Sequence, residues 1–117
     1  MTNAEAITAF ADLLKRGEHE AAAERFNAPD IVSLEAMDGP MARVEGRVAV
    51  KAKSDWWYSA HEIHAAEAFG PYRNGDQFVM RFSIDVTVKE TGQRVRMDEA
   101  GLYTVRDGLI VEERFFY

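Results

Sequence analysis

At 117 residues, with 47% hydrophobic and 29% charged side chains, the chain fits one ordinary globular domain spanning 1–117 and leaves no room for a second. Twenty acidic against 14 basic residues give a formal charge of −6, which argues against a general nucleic-acid binder and against attachment to an anionic membrane surface. The absence of cysteine excludes disulfides, thiolate catalysis and Cys-ligated metals, and no apolar run approaches the length that crosses a bilayer.

Met1 to Phe10 carries Glu5 and lacks a basic stretch followed by an apolar one, so a cytoplasmic location is the expectation. Ala6, Ile7, Phe10, Leu13 and Leu14 recur at helical spacing, with Asn3 as N-cap, Lys15 and Arg16 at the C-terminal end and Gly17 as the stop. A second helix is predicted from Glu18 to Phe26, ended by Pro29. Ile31 to Met37 reads as a strand closed by the turn Asp38-Gly39-Pro40. Gly46 opens a third helix, Arg47 to His61, whose apolar stripe is read as Val48, Ala52, Trp56 and Ala60, widened by Trp57 and His61.

Beyond it the period changes. Ile63 to Phe69 is read as a strand, with turns at Gly70-Pro71 and Asn74-Gly75. From Phe78 to Val88 the alternation is clear: Phe78, Met80, Phe82, Ile84, Val86 and Val88 share one face and Arg81, Ser83, Asp85 and Thr87 the other. Thr91-Gly92 turns the chain into a strand from Arg94 to Val105. Arg106-Asp107-Gly108 makes a hairpin, and Leu109 to Tyr117 is the last strand. Helices first and antiparallel strands last define an α+β domain.

This order is carried by the hinge Lys15-Arg16-Gly17-Glu18, by Phe26…Pro29-Asp30, by the Gly46-opened helix and by the terminal run Tyr103-Thr104-Val105-Arg106-Asp107-Gly108-Leu109-Ile110. Over essentially the whole chain it resembles the nuclear transport factor 2-like superfamily, and within it the SnoaL-like proteins related to polyketide cyclases and ketosteroid isomerase. The resemblance implies a cystatin-like cone, with three N-terminal helices packed in a curved, mostly antiparallel sheet and a pocket between its concave face and the helices. A homodimer through the convex face is also implied. The superfamily contains isomerases, cyclases, dehydratases and non-catalytic binders, so fold does not settle chemistry.

Polar groups on otherwise apolar faces mark the candidate site. Val95, Met97, Glu99, Gly101, Tyr103 and Val105 share one face of their strand, and Leu109, Val111, Glu113, Phe115 and Tyr117 share one face of the next; Glu99 and Glu113 are the exceptions. Burial would raise both carboxyl pKa values and mutual repulsion would split them, which turns a carboxyl group into a base or a proton-holding donor near neutrality. The structural alternative has Glu99 at a strand end, in water or paired with Arg43, Arg47 or Arg73. Glu35 is the alternative base, since it falls near the isomerase's general-base position.

Two departures from the isomerase stand out: its first-helix tyrosine donor corresponds to Phe10, and its second donor falls near Gly101, two residues from Glu99. His61 and His64 are candidate acid/base partners. Their spacing with Glu35 or Glu99 is too loose for a metal site, so no metal is expected. Trp56, Trp57, Phe82, Tyr103 and Phe115 are expected to shape a cavity for a small apolar or polycyclic ligand. The charges Arg81, Asp85, Arg94, Arg96, Asp98, Glu112 and Arg114 form a solvated or interfacial ladder on the opposite side, together with Phe116. No phosphate-cradling glycine loop, dinucleotide fingerprint or nucleophile motif is present, which points to cofactor-free acid–base chemistry (isomerisation, cyclisation, dehydration or hydrolysis) or, as the alternative, to a non-catalytic ligand-binding or dimeric protein-interaction module.

Overall fold

The computed structural model describes residues 1–117. Helix α1 spans Asn3–Lys15 and α2 spans His19–Phe26, separated by Gly17 at φ +77°. The cap of α1 is Thr2, not Asn3. Thr2 Oγ1 accepts from the Glu5 amide at 3.1 Å while the Glu5 carboxylate accepts from the Thr2 amide at 2.9 Å, a reciprocal capping box. Asn3 instead accepts from the Gly108 amide at 2.8 Å, tying the helix start to the last hairpin.

Strand β1 (Asn27–Leu34) follows α2 directly, and Pro29 lies inside it rather than before it. The β1 ladder shifts register between Asn27 and Val32, so a residue without an amide hydrogen is tolerated there. The short β2 (Arg43–Glu45), which the sequence did not announce, pairs with β1. Helix α3 (Arg47–Ala60) is followed by β3 (His61–Asn74), β4 (Gln77–Val88), β5 (Arg94–Arg106) and β6 (Leu109–Phe116). The sheet order is β2-β1-β6-β5-β4-β3, antiparallel throughout except for the parallel β1–β6 pair. The α+β architecture is thus the one expected, with three helices on a six-stranded, mostly antiparallel sheet. No helix is long and apolar enough to cross a membrane.

Three local expectations are corrected. Gly70-Pro71 is not a turn: it is a cis peptide inside a long β3, at a break in pairing with β4 between Phe69 and Tyr72. A Cβ on Gly70 would stand 2.8 Å from the Val79 carbonyl oxygen, so the close approach of two backbones demands glycine. On β6, Thr104 opposes Glu112 whereas Val105 opposes Ile110, so Val111 is the extra residue of a bulge. Ile110, fully buried, takes the inward place expected for Val111.

The third correction concerns the phase of α3. Val48 is 84% exposed, Trp56 is 53% exposed and Ala52 also faces out, whereas Val50 and Lys53 are buried and Trp57 half-buried. Both stripes have helical period, so periodicity alone could not choose between them. Tertiary anchors do. The Gly46 amide donates to the Ile31 carbonyl at 2.7 Å and the Arg47 guanidinium donates to the Asn27 carbonyl, fixing how the helix meets β1.

The core lies between α1, α2 and the inward face of the sheet. Phe10 sits at its centre, edge-on to Phe26, Phe78 and Tyr103 at centroid distances of 6.0, 5.9 and 5.1 Å.

Candidate functional site

The register lays the inward side chains of the sheet in rows. Ser33, Glu113, Tyr103 and Phe78 form one row across β1, β6, β5 and β4. Phe115, Gly101 and Met80 form the next, then Glu99, Phe82 and Ala68. Strand alternation puts all of these on one face. Glu113 and Glu99 therefore share a surface but lie two rows apart, with Gly101 and Phe115 between them.

Over the first two rows stands Lys53 of α3, only 8% exposed. Its ammonium donates to Ser33 Oγ and, at 2.9 Å, to Glu35 Oε1. Ser33 passes the polarity on, donating to Glu113 Oε2 at 2.7 Å, while Tyr117 donates to Glu35 Oε2 at 3.1 Å. The Lys53 ammonium also lies 5.6 Å from the Phe115 ring centroid. A single buried cation thus organises one carboxylate just past the end of β1 and another on β6.

The carboxyls differ in environment. Burial pushes Glu113 up from its ordinary pKa, against the Ser33 hydrogen bond and the Lys53 charge, which pull it down. Burial also raises Glu99, to about 7, with Glu35 adding to the rise and Lys53 opposing it. The two do not act on each other appreciably; each is coupled to Glu35 and Lys53 instead, so the expected repulsion between Glu99 and Glu113 is not what perturbs them. Glu99 has none of the anticipated arginine partners and accepts no hydrogen bond from the protein. A carboxylate with free lone pairs and a pKa near neutrality is suited to taking and returning a proton.

A cleft of about 200 Å³ opens between the α1–α2 turn, the end of α3, and strands β3 and β4; Glu99 is not part of its lining. Its walls include Trp57, Tyr58, Ile63, Phe82 and Ile84, with His19 at one side. Phe82 is the direct cross-strand neighbour of Glu99. Burial lowers the pKa of His19, which favours its neutral form. A wider, open hollow of about 420 Å³ on α1, over Ala4, Glu5, Thr8, Ala9 and Asp12, holds none of these groups.

Of the candidate acid/base residues, Glu35, Glu99 and Glu113 are thus brought together, and the two histidines are not. His61 Nδ1 contacts the Trp57 carbonyl at 2.8 Å and its ring stacks on the indole at 4.5 Å. His64 contacts Thr87 Oγ1 at 2.7 Å on the exposed side of β3. Trp57 and Phe82 line the cleft, Tyr103 and Phe115 line the carboxylate surface, and Trp56 points away into solvent. No three His, Asp or Glu side chains have a metal-holding arrangement.

Lys53, Ser33, Tyr117 and His19 were not singled out from the sequence. Ser33 alternates with the buried Ile31 on β1, and Lys53 follows Val50 by three, so both signals were present once the phase of α3 was known.

The SnoaL-like domain family matches residues 1–117. The chain belongs to the SnoaL-like family. A candidate SnoaL-like polyketide cyclase from Mesorhizobium loti, also described by the words carbohydrate phosphatase, is 56% identical to it over 100% of both chains, with a TM-score of 0.97. More distant likenesses show the shared fold. A protein of ketosteroid isomerase-like fold from Catenulispora acidiphila, crystallised with trimethylamine, is 20% identical over 99% of this chain and 87% of its own, at a TM-score of 0.72. A protein of cystatin-like fold from Xanthomonas campestris is 16% identical over 99% and 90%, at 0.77. No curated protein matches the chain. Members of this fold commonly bind small ligands, and many are cofactor-free isomerases or cyclases.

Proposed function

We propose that this SnoaL-like protein binds a small, flat, largely apolar carbonyl compound and catalyses cofactor-free proton transfer at the carbon next to the carbonyl. That step is common to keto–enol isomerisation, aldol-type cyclisation and dehydration. The observation that carries the reading is Glu99: unpaired, raised to about 7, and paired across the strands with Phe82, which lines a cleft together with Trp57 and Tyr58. Above that pH its carboxylate takes the proton; the C–H electron pair moves into the carbonyl, and the proton returns from the carboxylic acid. Lys53 and Glu35 set the field in which Glu99 titrates.

The reading predicts that the protein accelerates exchange of the α-protons of 2-tetralone in D2O, followed by proton NMR, with a rate rising through pH about 7. Glu99→Gln should abolish the acceleration. No acceleration by the native protein, or full activity in the variant, would overturn it. A second reading, ligand binding without turnover, draws on Phe10: it is buried in the core and carries no hydrogen-bond donor where the isomerase has its first-helix tyrosine. A homodimer and a cytoplasmic location complete the proposal. Sedimentation as a monomer at high concentration would remove the dimer.

A further inference from the structure

Tyr103 is 3% exposed, yet its hydroxyl makes no hydrogen bond within the protein, although carboxylates surround it. No fully enclosed side-chain polar atom of the fold lacks a partner, so this hydroxyl keeps contact with open space. Its position follows from a glycine. Gly101 precedes Tyr103 by two on the same face of β5, and a Cβ there would lie 2.9 Å from Tyr103 Cε2 and 3.2 Å from the hydroxyl oxygen. The ring therefore leans back along the strand into the space a side chain at 101 would fill. Its hydroxyl comes to rest over position 101, the inward neighbour of Glu99. The ring is held there by stacking on Phe78 at 5.0 Å and by edge contacts with Phe10 and Phe115.

We propose that the Tyr103 hydroxyl is the hydrogen-bond donor that recognises an oxygen of the bound ligand, next to the carbon from which Glu99 removes a proton. Resting on the proton-transfer reading, this names the substrate's required feature: a carbonyl oxygen that gains negative charge as the C–H bond breaks and the enolate forms. Donor and base lie on one strand, two inward positions apart, on the same face as Gly101. Burial first, then the charges of Glu113, Glu99 and Glu35 with Tyr58 from α3, push the pKa of the phenol up, so it stays a neutral donor, and Lys53 is the cation that faces these carboxylates. An uncharged phenol with no internal partner gives its hydrogen bond wholly to the ligand.

The test is Tyr103→Phe, which keeps the ring and its packing. Equilibrium dialysis with 2-naphthol, a planar mimic of the enol, and with naphthalene, which lacks the oxygen, separates the hydrogen bond from apolar burial. The native protein should prefer 2-naphthol, and the variant should lose about tenfold of that affinity while binding naphthalene unchanged. The free variant should be no less stable to urea than the native protein, because its hydroxyl had no partner to lose. Equal binding of both compounds by the native protein, retention of naphthol affinity in the variant, or a lowered urea midpoint would each overturn the assignment. Should 2-tetralone exchange fail while naphthol affinity still depends on Tyr103, the catalytic reading falls and the donor stands.

Discussion

Replacing Glu99 by Gln tests the physical basis of the site without any substrate. The folded chain holds a proton on Glu99 up to about 7, whereas in the unfolded chain the same carboxyl titrates near 4.5. Between those values the native state binds more protons than the unfolded state, so the contribution of Glu99 to stability falls as pH rises through the window, and is constant above it. Moving a carboxyl over that range corresponds to roughly 3 kcal/mol. Glu99 is only part-buried, and water screens it, which leaves about 2 kcal/mol. Gln has nearly the shape of the protonated acid and never ionises. Glu99→Gln should therefore match the native protein near pH 4.5 and exceed it by about 2 kcal/mol at pH 8, seen as a urea midpoint raised by about 1 M. An equal difference at every pH, or a variant weaker than the native protein at pH 8, would show that Glu99 is not held in a desolvated, unpaired state.

Further substitutions probe its neighbours. Lys53→Met removes the cation opposing the rise of Glu99 and leaves Glu35 and Glu113 without their common partner. It should cost about 3 kcal/mol at neutral pH and move the Glu99 titration above 7 in carbon-13 carboxyl spectra, while Lys53→Arg restores both. Ser33→Ala takes away the hydrogen bond that holds Glu113 down, so Glu113 should titrate higher still; a loss of about 1–3 kcal/mol, growing as pH rises, is expected in urea melts at several pH values. Gly101→Ala places a methyl against the Tyr103 ring and should lower thermal stability by about 1–3 kcal/mol while weakening 2-naphthol binding.

The strand alternation from Phe78 to Val88 and the odd-numbered face of β5 were readable directly, because a period of two assigns every side chain to one of two faces. That is why Glu99 stood out in the sequence as an acid among inward-facing residues, and why Phe82 and Tyr103 could be set beside it. The bulge at Val111 escaped the same logic. One extra residue reverses the alternation locally while leaving composition untouched, and only the pairing of Thr104 with Glu112 and Val105 with Ile110 reveals it.

Helix α3 shows the same division more sharply. The sequence placed a helix from Arg47 to His61, which the structure ends at Ala60 because His61 opens β3, with apolar residues at intervals of three and four, but two such stripes exist. The hydrogen bonds of Gly46 and Arg47 to β1 chose the one containing Val50, Lys53 and Trp57. That choice turned Lys53 from an unremarked surface cation into the buried charge on which Glu35, Ser33 and Glu113 converge, and left Trp56 in solvent. Residue types and local period are written along the chain. Which face is buried, and hence which charges must answer one another, depends on contacts between residues 20 to 80 positions apart, and those exist only once the sheet has closed over the helix.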